Sequence, residues 1–370
     1  MFGQTPLNEM LFFMLYGGAM AIDTFACLYL LLRRGNVFAP DVTSPLRLRH
    51  WTAVFFASLA LGHLWYMPAA VVTSSDDDRL YNLIGGMLDC MTLFPLAIVI
   101  LLCMLQDRRR PLWPAWVMVV PVVAGLAVCM ADHSYVLIPM LRIYLLLLGI
   151  GLIIYMVREV RQYGRWLRDN YADLEHKEVW RSFLVLVVIL LMFGIYVGGY
   201  GSMANEFIVQ LCDILLVCYL LWRVETLSDL SISPSLPIQE ETTMADEQES
   251  DDEALSPNDD IEPLLQRHCV DTQLYLQHDL TVTQLAQVLG TNRFYLSQYF
   301  ANQHTTYNAY INNLRIQHFT RLYREAIADQ RPISAKQLAS DSGYRSYSTF
   351  SLAFKQRTGH SVTAWMRNPT

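Results

Sequence analysis

Residues 135–157 read YVLIPMLRIYLLLLGIGLIIYMV, an apolar run interrupted by one charged side chain, Arg142. A helix needs about 20 apolar residues to cross the hydrocarbon core of a bilayer. Inside that core, only helices and closed barrels satisfy every backbone hydrogen bond. The stretch therefore predicts a transmembrane helix.

Other runs of this kind lie on both sides of it, all before residue 227, in a chain that is 53% hydrophobic and only 16% charged. Seven predicted spans cover 7–32, 50–72, 81–105, 112–131, 135–157, 179–200 and 205–223. Several contain proline, at Pro68, Pro95, Pro121 and Pro139. Kinks or local breaks are expected at these positions, because proline removes a backbone donor.

Basic residues are distributed unevenly among the loops of this region. The first, third and fifth loops, with Arg223 after the last span, hold 14 of the 16 Lys and Arg residues before 228. Short cytoplasmic loops collect these residues, so the N-terminus is predicted outside and the C-terminus inside, across a bacterial cytoplasmic membrane. The opening MFGQTPLNEM lacks the basic segment of a cleaved secretion signal, so the first span is expected to remain as an anchor.

Charge divides the chain into three parts. Residues 1–227 hold 16 bases and 17 acids, residues 228–262 hold 12 acids and no base, and residues 263–370 hold 11 bases and 5 acids. These parts are predicted to be a transmembrane domain, an acidic disordered linker and a basic globular domain with an anionic partner. The linker is interpreted as a tether. The alternative is that it folds back over the basic domain and competes with that partner.

Short helices with recognisable caps fill the basic part. Thr281 can cap a helix VTQLAQVL, Gly290 breaks it at a tight turn, and Asn292 can cap the helix RFYLSQYFANQ. This arrangement is typical of a helix-turn-helix. A longer amphipathic helix, TYNAYINNLRIQHFTRLYREA, follows it.

After Pro332 the arrangement recurs. ISAKQLASDS leads to Gly343, Ser346 caps YSTFSLAFKQR, and Gly359 closes that helix. The predicted fold class is therefore all-α: a seven-helix transmembrane bundle and a C-terminal domain with two helix-turn-helix units.

The second helix-turn-helix resembles those of AraC-type transcriptional regulators. The resemblance is carried by GYRSYSTFSLAFK at 343–355, by Gly359 and by WMR at 365–367. The first unit fits through LAQVLG, Leu296, Phe300 and YINNLR. The resemblance is confined to the C-terminal domain of about 100 residues, and one departure is Val362, where the family usually has proline.

The resemblance implies that two recognition helices enter successive major grooves of DNA, and helices about 34 Å apart match one turn of the duplex. Arg and Gln can hydrogen-bond base edges, Ser and Thr can reach bases or phosphates, and aromatic rings can pack on a thymine methyl group. Leu296, Phe300, Phe350 and Phe354 are predicted to be core residues. The predicted DNA-binding residues are Arg293, Phe294, Ser297, Gln298, Arg345, Tyr347, Ser348, Thr349 and Lys355.

Of the ionisable residues in the predicted spans, five are candidates for a functional role: Asp23, His63, Asp89, Arg142 and Asp213. Such residues are costly in a membrane and usually functional. We predict a polar sensor pocket open to the outside, with Arg142 either paired to Asp89 or binding an anionic group of a ligand. Internal ion pairs and hydrogen bonds that only fix helix packing are the alternative.

The remaining motifs argue against an enzyme. The seven cysteines form no CxxC pair and have no histidine at zinc-binding spacing, so no metal site and no cofactor are predicted. No HExxH, GxSxG or P-loop occurs, so no catalytic residue is predicted.

The features together predict a membrane-bound one-component transcription regulator that senses an extracytoplasmic or membrane signal. Its expected partners are double-stranded DNA and the lipid bilayer, with an unknown small ligand and a second copy of the chain as further candidates. The alternative is a transporter-like membrane protein with a secondary promoter-regulating role, although no internal repeat is obvious.

Overall fold

The computed structural model describes residues 7–33, 35–67, 75–132, 136–184, 203–231, 261–332 and 334–367. These residues are mostly helical, which confirms the predicted all-α class. Within them, the structure contains one isolated β-bridge, between Tyr171 and Thr281. Most of the acidic linker, and with it the predicted competition with the anionic partner, lies outside the described residues.

The chain divides into two compact units. The first comprises Met1–Tyr163 and Val179–Ser231, and the second comprises Gly164–Glu178 and Ile232–Thr370. Residues 164–178 therefore group with the C-terminal region, although the sequence analysis assigned them to the transmembrane domain.

The first unit is built of packed helices. Its helices are Leu7–Leu32 (α1), Leu46–Tyr66 (α2), Ser75–Met91 (α3), Leu93–Met104 (α4), Pro114–Val117 (α5), Val120–Ala131 (α6), Ile138–Asn170 (α7, shared with the second unit) and Met203–Thr226 (α8). Helix α1 packs on α2 and α8, α2 also packs on α4 and α8, and α3 packs on α4 and α6.

Five helical stretches among the described residues are long and apolar enough to cross a membrane: Leu7–Leu32, Leu83–Met104, Pro114–Ala131, Ile138–Asn170 and Glu206–Thr226. Each overlaps a predicted span. In α7, only 6% of the most apolar window is buried, and lipid is the solvent in which such a surface is stable.

The other two predicted spans are not among these five. The span predicted at 50–72 corresponds to α2, whose sequence includes Arg47, Arg49, His50 and His63. The span predicted at 179–200 lies largely outside the described residues. The count of seven therefore stays a prediction.

Proline interrupts the apolar helices at two of the predicted positions. The helix breaks at Thr92, three residues before Pro95, and α6 begins one residue before Pro121. Proline cannot donate to the carbonyl four residues earlier, so a helix ends ahead of it more easily than it passes through. Pro139 instead lies in the first turn of α7, and Pro68 is outside the described residues.

The loops predicted to be cytoplasmic contact one another within the first unit. Three hydrogen bonds join the first loop to the end of α8, the third loop to the residues after α8, and the third loop to α7. They connect the Phe38 backbone N–H to the Glu225 carboxylate (3.0 Å), the Gln106 side-chain amide to the Ser228 carbonyl (2.9 Å) and Arg110 Nε to the Glu159 carboxylate (2.7 Å). These loop residues therefore lie close together in the first unit.

The second unit has two hydrophobic cores, one for each helix-turn-helix. The first core includes Leu285, Leu296 and Phe300, and the second includes Phe350 and Phe354. Its helices are Ile261–Leu265 (α9), Val282–Val288 (α10), Arg293–Asn302 (α11), Tyr307–Ala328 (α12), Ala335–Asp341 (α13), Tyr347–Thr358 (α14) and Val362–Arg367 (α15). Helix α12 contributes Ile311 to the first core and Phe319 to the second. The two helix-turn-helix units therefore share one rigid helix.

The predicted caps are confirmed. Thr281, Asn292 and Ser346 each accept a hydrogen bond from the backbone N–H three residues later. Gly359 ends α14 with φ 76°, a left-handed conformation that glycine adopts without steric cost. Val362, the departure from the family pattern, begins α15 and is buried in the second core.

Candidate nucleic-acid interface and intramembrane polar cluster

One face of α11 is fixed on the first core by Leu296 and Phe300, which are 0% and 2% exposed. The opposite face presents predicted DNA-binding residues: Arg293, Phe294 and Gln298 are exposed, and Ser297 is half-buried. Phe294 is 70% exposed.

Helix α14 repeats this arrangement. Phe350 and Phe354 are fully buried and hold the helix on the second core. Of the predicted DNA-binding residues, Arg345, Ser348 and Lys355 are exposed, whereas Tyr347 and Thr349 are half-buried. Leu352 on the same helix is 55% exposed, so α11 and α14 each carry one large exposed apolar side chain.

A buried arginine connects α12 to the chain on either side of it. Arg315 is 1% exposed, its Nε donates to the Tyr275 carbonyl at 2.7 Å, and its Nη2 donates to the Gln277 carbonyl at 2.6 Å. Its guanidinium also lies 5.5 Å from the centre of the Tyr344 ring, just before α14. Burial lowers the pKa of Arg315 and raises the pKa of the Tyr344 hydroxyl. Arg315 therefore joins the segments that precede both recognition helices.

A segment far earlier in the chain completes this unit. We call residues 171–177 the docking segment. The Ala172 amide donates to the Leu280 carbonyl at 3.2 Å, and the Asn308 side chain donates to the Ala172 carbonyl at 2.6 Å. Ala172 is 2% exposed and belongs to the first core. The docking segment is thus part of the C-terminal fold.

Side chains of the docking segment reach the predicted DNA-binding residues. The Thr349 hydroxyl donates to Glu175 Oε2 at 2.9 Å. Lys177 Nζ lies 3.5 Å from an oxygen of Asp279, whose other oxygen accepts from Arg345 at 2.8 Å. The predicted DNA-binding residues Thr349 and Arg345 therefore form direct hydrogen bonds with acidic residues of the protein.

Sequence reasoning missed Glu175, Asp279 and the docking segment. The bond from Asn308 to Ala172 joins residues 136 positions apart, and the bond from Thr349 to Glu175 joins residues 174 apart. No local pattern encodes such pairings. The one local signal that could have pointed to the docking segment is the presence of acidic residues in the fifth loop, which is otherwise basic.

In the first unit, three of the five predicted pocket residues come together. Asp23 of α1, His63 of α2 and Asp213 of α8 each offer a ligand atom, and these atoms lie within 4.8 Å of one another. Asp23 is 0% exposed and His63 is 8% exposed. We call these three residues the polar cluster.

The other two predicted pocket residues are placed differently. Asp89 on α3 accepts a hydrogen bond from the Tyr66 hydroxyl at 2.8 Å. Arg142 lies on an exposed face of α7. Their pairing with each other stays a prediction.

Residues 285–368 match a family model described as a helix-turn-helix domain. This match confirms the AraC-type resemblance of the C-terminal region. No curated protein and no solved structure matches the chain.

Proposed function

We propose that this chain is a membrane-bound transcription regulator whose C-terminal domain binds promoter DNA sequence-specifically through α11 and α14. The observation that carries the proposal is the repeated arrangement of these helices: each has a buried aromatic anchor, a capped N-terminus and an exposed polar face. The match of residues 285–368 to a helix-turn-helix domain supports the same conclusion.

In this proposal the exposed side chains have two roles. Phe294 and Leu352 pack against thymine methyl groups in the major groove, because both are large, apolar and exposed. Arg293, Arg345 and Lys355 bind phosphates or base edges, since their cationic groups suit both. Base contacts specify sequence, whereas phosphate contacts position the protein.

Selection of duplexes from a random library tests the proposal, with the full-length chain in nanodiscs of neutral lipid. We expect an enriched motif with two half-sites about 10 base pairs apart. Phe294→Ala should relax preference at one position, whereas Lys355→Ala should weaken binding to every sequence and reduce the salt slope by about 1. Failure to enrich any motif at low ionic strength would refute DNA recognition.

We further propose that α7 transmits the membrane signal through the docking segment. The last residues of α7, from Gly164 to Asn170, belong to the second unit, and the docking segment follows directly. In this proposal, movement of α7 pulls on the docking segment and displaces Glu175 from Thr349. With the segment docked, a carboxylate occupies the place that a DNA phosphate or base would approach, so the docked arrangement is the state of lower DNA affinity.

The proposed orientation places the N-terminus outside the cytoplasmic membrane and the DNA-binding domain inside. It is supported by the basic loops, which contact one another within the first unit. A green fluorescent protein fused after residue 370 should fluoresce, and alkaline phosphatase fused after residue 132 should be active. The reverse pattern would contradict this orientation.

A further inference from the structure

We propose that the polar cluster of Asp23, His63 and Asp213 binds a divalent transition-metal ion. Its three ligand atoms come from three different helices and lie within 4.8 Å of one another. The distance from His63 Nδ1 to Asp23 Oδ2 is 3.4 Å. Two ligands of a tetrahedral ion with bonds of 2.0–2.1 Å are separated by about 3.3 Å, so this pair already has the spacing of metal ligands.

The carboxylates of the cluster lack the partners that buried acids need. Among the described residues, both oxygens of Asp23 and Oδ2 of Asp213 are buried without a hydrogen-bond donor. Within the same residues, neither carboxylate forms an ion pair with Lys or Arg. Two acids that stay ionised in a medium of low dielectric require compensating positive charge, whereas protonated acids do not. A divalent cation bound between the two carboxylates would supply this positive charge.

The surroundings of His63 orient the ring for this role. Its Nε2 lies 3.0 Å from Oε1 of Gln210, one turn before Asp213 on α8. In the proposed site Nε2 donates its proton to that oxygen, and Nδ1 is the nitrogen that binds the metal. Nδ1 faces both Asp23 and the Leu59 carbonyl, 3.0 Å away. Both of these neighbours of Nδ1 are oxygens, which suits a cation between them.

The donor set indicates the class of ion. One imidazole with two carboxylates suits zinc, iron, manganese or nickel rather than the all-oxygen sites of calcium and magnesium. A metal-bound imidazole usually donates its other N–H to a polar group that fixes the ring, and Gln210 is that group here. Three protein ligands leave a coordination position for water. Such an ion would tie α8, which leads toward the linker, to α1 and α2.

Metal content tests the site directly. Full-length protein in nanodiscs, stripped with a chelator and dialysed against Zn²⁺ or Mn²⁺, should hold one ion per chain by mass spectrometry of the metal. Asp23→Asn and His63→Gln should abolish that ion, and Gln210→Leu should weaken binding by about 10- to 100-fold. Asp89→Asn, a matched acid of the same unit bonded to Tyr66, should retain it.

A spectroscopic variant separates ligation from loss of folding. With Co²⁺ in place of Zn²⁺, His63→Cys should gain a thiolate-to-metal charge-transfer band that the unsubstituted protein lacks. Equal metal content in all variants, or no ion in the unsubstituted protein, would overturn the proposal and leave a proton-sharing cluster.

A role of this ion as the sensed signal rests on the proposed function. It is measured separately, as DNA affinity with and without the ion. If the chain binds no DNA at all, the proposed function fails while the metal count still decides the site. If it binds DNA with the same affinity in both conditions, the signalling role alone is excluded.

Discussion

The Thr349 hydroxyl donates a 2.9 Å hydrogen bond to Glu175, a residue 174 positions earlier in the chain. Thr349 lies in the first turn of α14, the helix proposed to enter a major groove. Backbone bonds of Ala172 hold the docking segment in place independently of this contact. A predicted DNA-binding residue is thus engaged by the segment that follows a candidate membrane span.

Removing this contact should raise DNA affinity. Glu175→Ala deletes one hydrogen bond to Thr349 and one negative charge that would repel phosphate. We expect Kd for the selected duplex to fall by roughly fivefold, which corresponds to about 1 kcal/mol. Fluorescence anisotropy with the full chain in nanodiscs measures it. Glu178→Ala, an exposed acid three residues away, is the charge-matched control, and an equal gain in both variants would exclude a specific role for Glu175.

Arg315→Leu should destabilise the second unit by about 2–4 kcal/mol. The substitution leaves the Tyr275 and Gln277 carbonyls without their buried donor, and such unpaired groups are costly. Arg315→Lys should rescue little, because an ammonium group cannot reproduce the planar fork.

Chemical labelling of the Cys269 thiol measures this loss of stability. The thiol is 0% exposed, and burial raises its pKa to about 11, so it reacts only when the unit unfolds. The extent of Cys269 labelling in a urea titration at constant pH gives the free energy of unfolding of the second unit. An Arg315→Lys variant as stable as the unsubstituted protein would contradict the argument.

The glycines that precede the two recognition helices should respond differently to alanine. Gly343 has φ 87°, and a Cβ there would lie 2.7 Å from the Leu276 carbonyl oxygen and 2.8 Å from its Cα. Gly290 has φ 67° and open space around the added carbon. We expect Gly290→Ala to cost about 1 kcal/mol from backbone strain alone, and Gly343→Ala about 3 kcal/mol or more. The same Cys269 assay compares them, and equal losses would rule out the steric argument.

The second unit should lose stability in mild acid through His318. Burial, and then the charge of Arg321, lower the pKa of His318 below its ordinary value near 6.5. Nδ1 faces two donors, the Tyr275 hydroxyl at 2.9 Å and Arg321 at 3.1 Å, so the folded state requires a neutral ring.

Because the unfolded chain binds the proton more readily, the contribution of His318 to stability is present above pH 6.5 and declines as the pH falls below it. Hydrogen exchange of residues 311–323 at pH 7.0 and 5.5, corrected for intrinsic rates, should show the loss. His318→Gln, which keeps an acceptor and cannot titrate, should reduce it. An unchanged pH dependence in that variant would assign the effect to other groups.

Some elements were predictable because their signals are local. A cap such as Thr281 or Ser346 acts on the backbone N–H three residues later, so adjacent letters suffice to identify it. The same holds for the breaks near Pro95 and Pro121. The sixth predicted span stays a prediction, since it lies largely outside the described residues.

The sequence did not show which of the predicted pocket residues lie close to one another. The sequence analysis selected Asp23, His63 and Asp213 because ionisable groups are costly in lipid, but it added Asp89 and Arg142 on the same ground and predicted no metal. Helix rotation and packing decide which of these groups face one another. Only the structure brings three of them within 4.8 Å.

The sequence by itself determined the all-helical class, the apolar stretches and the helix-turn-helix units, because hydrophobic length, helical period and capping chemistry act over a few neighbouring residues. Tertiary structure alone decided that residues 171–177 complete the C-terminal domain and that Glu175 holds Thr349. Such contacts depend on how distant helices pack, and packing free energy is a sum over surfaces that no single stretch of chain contains.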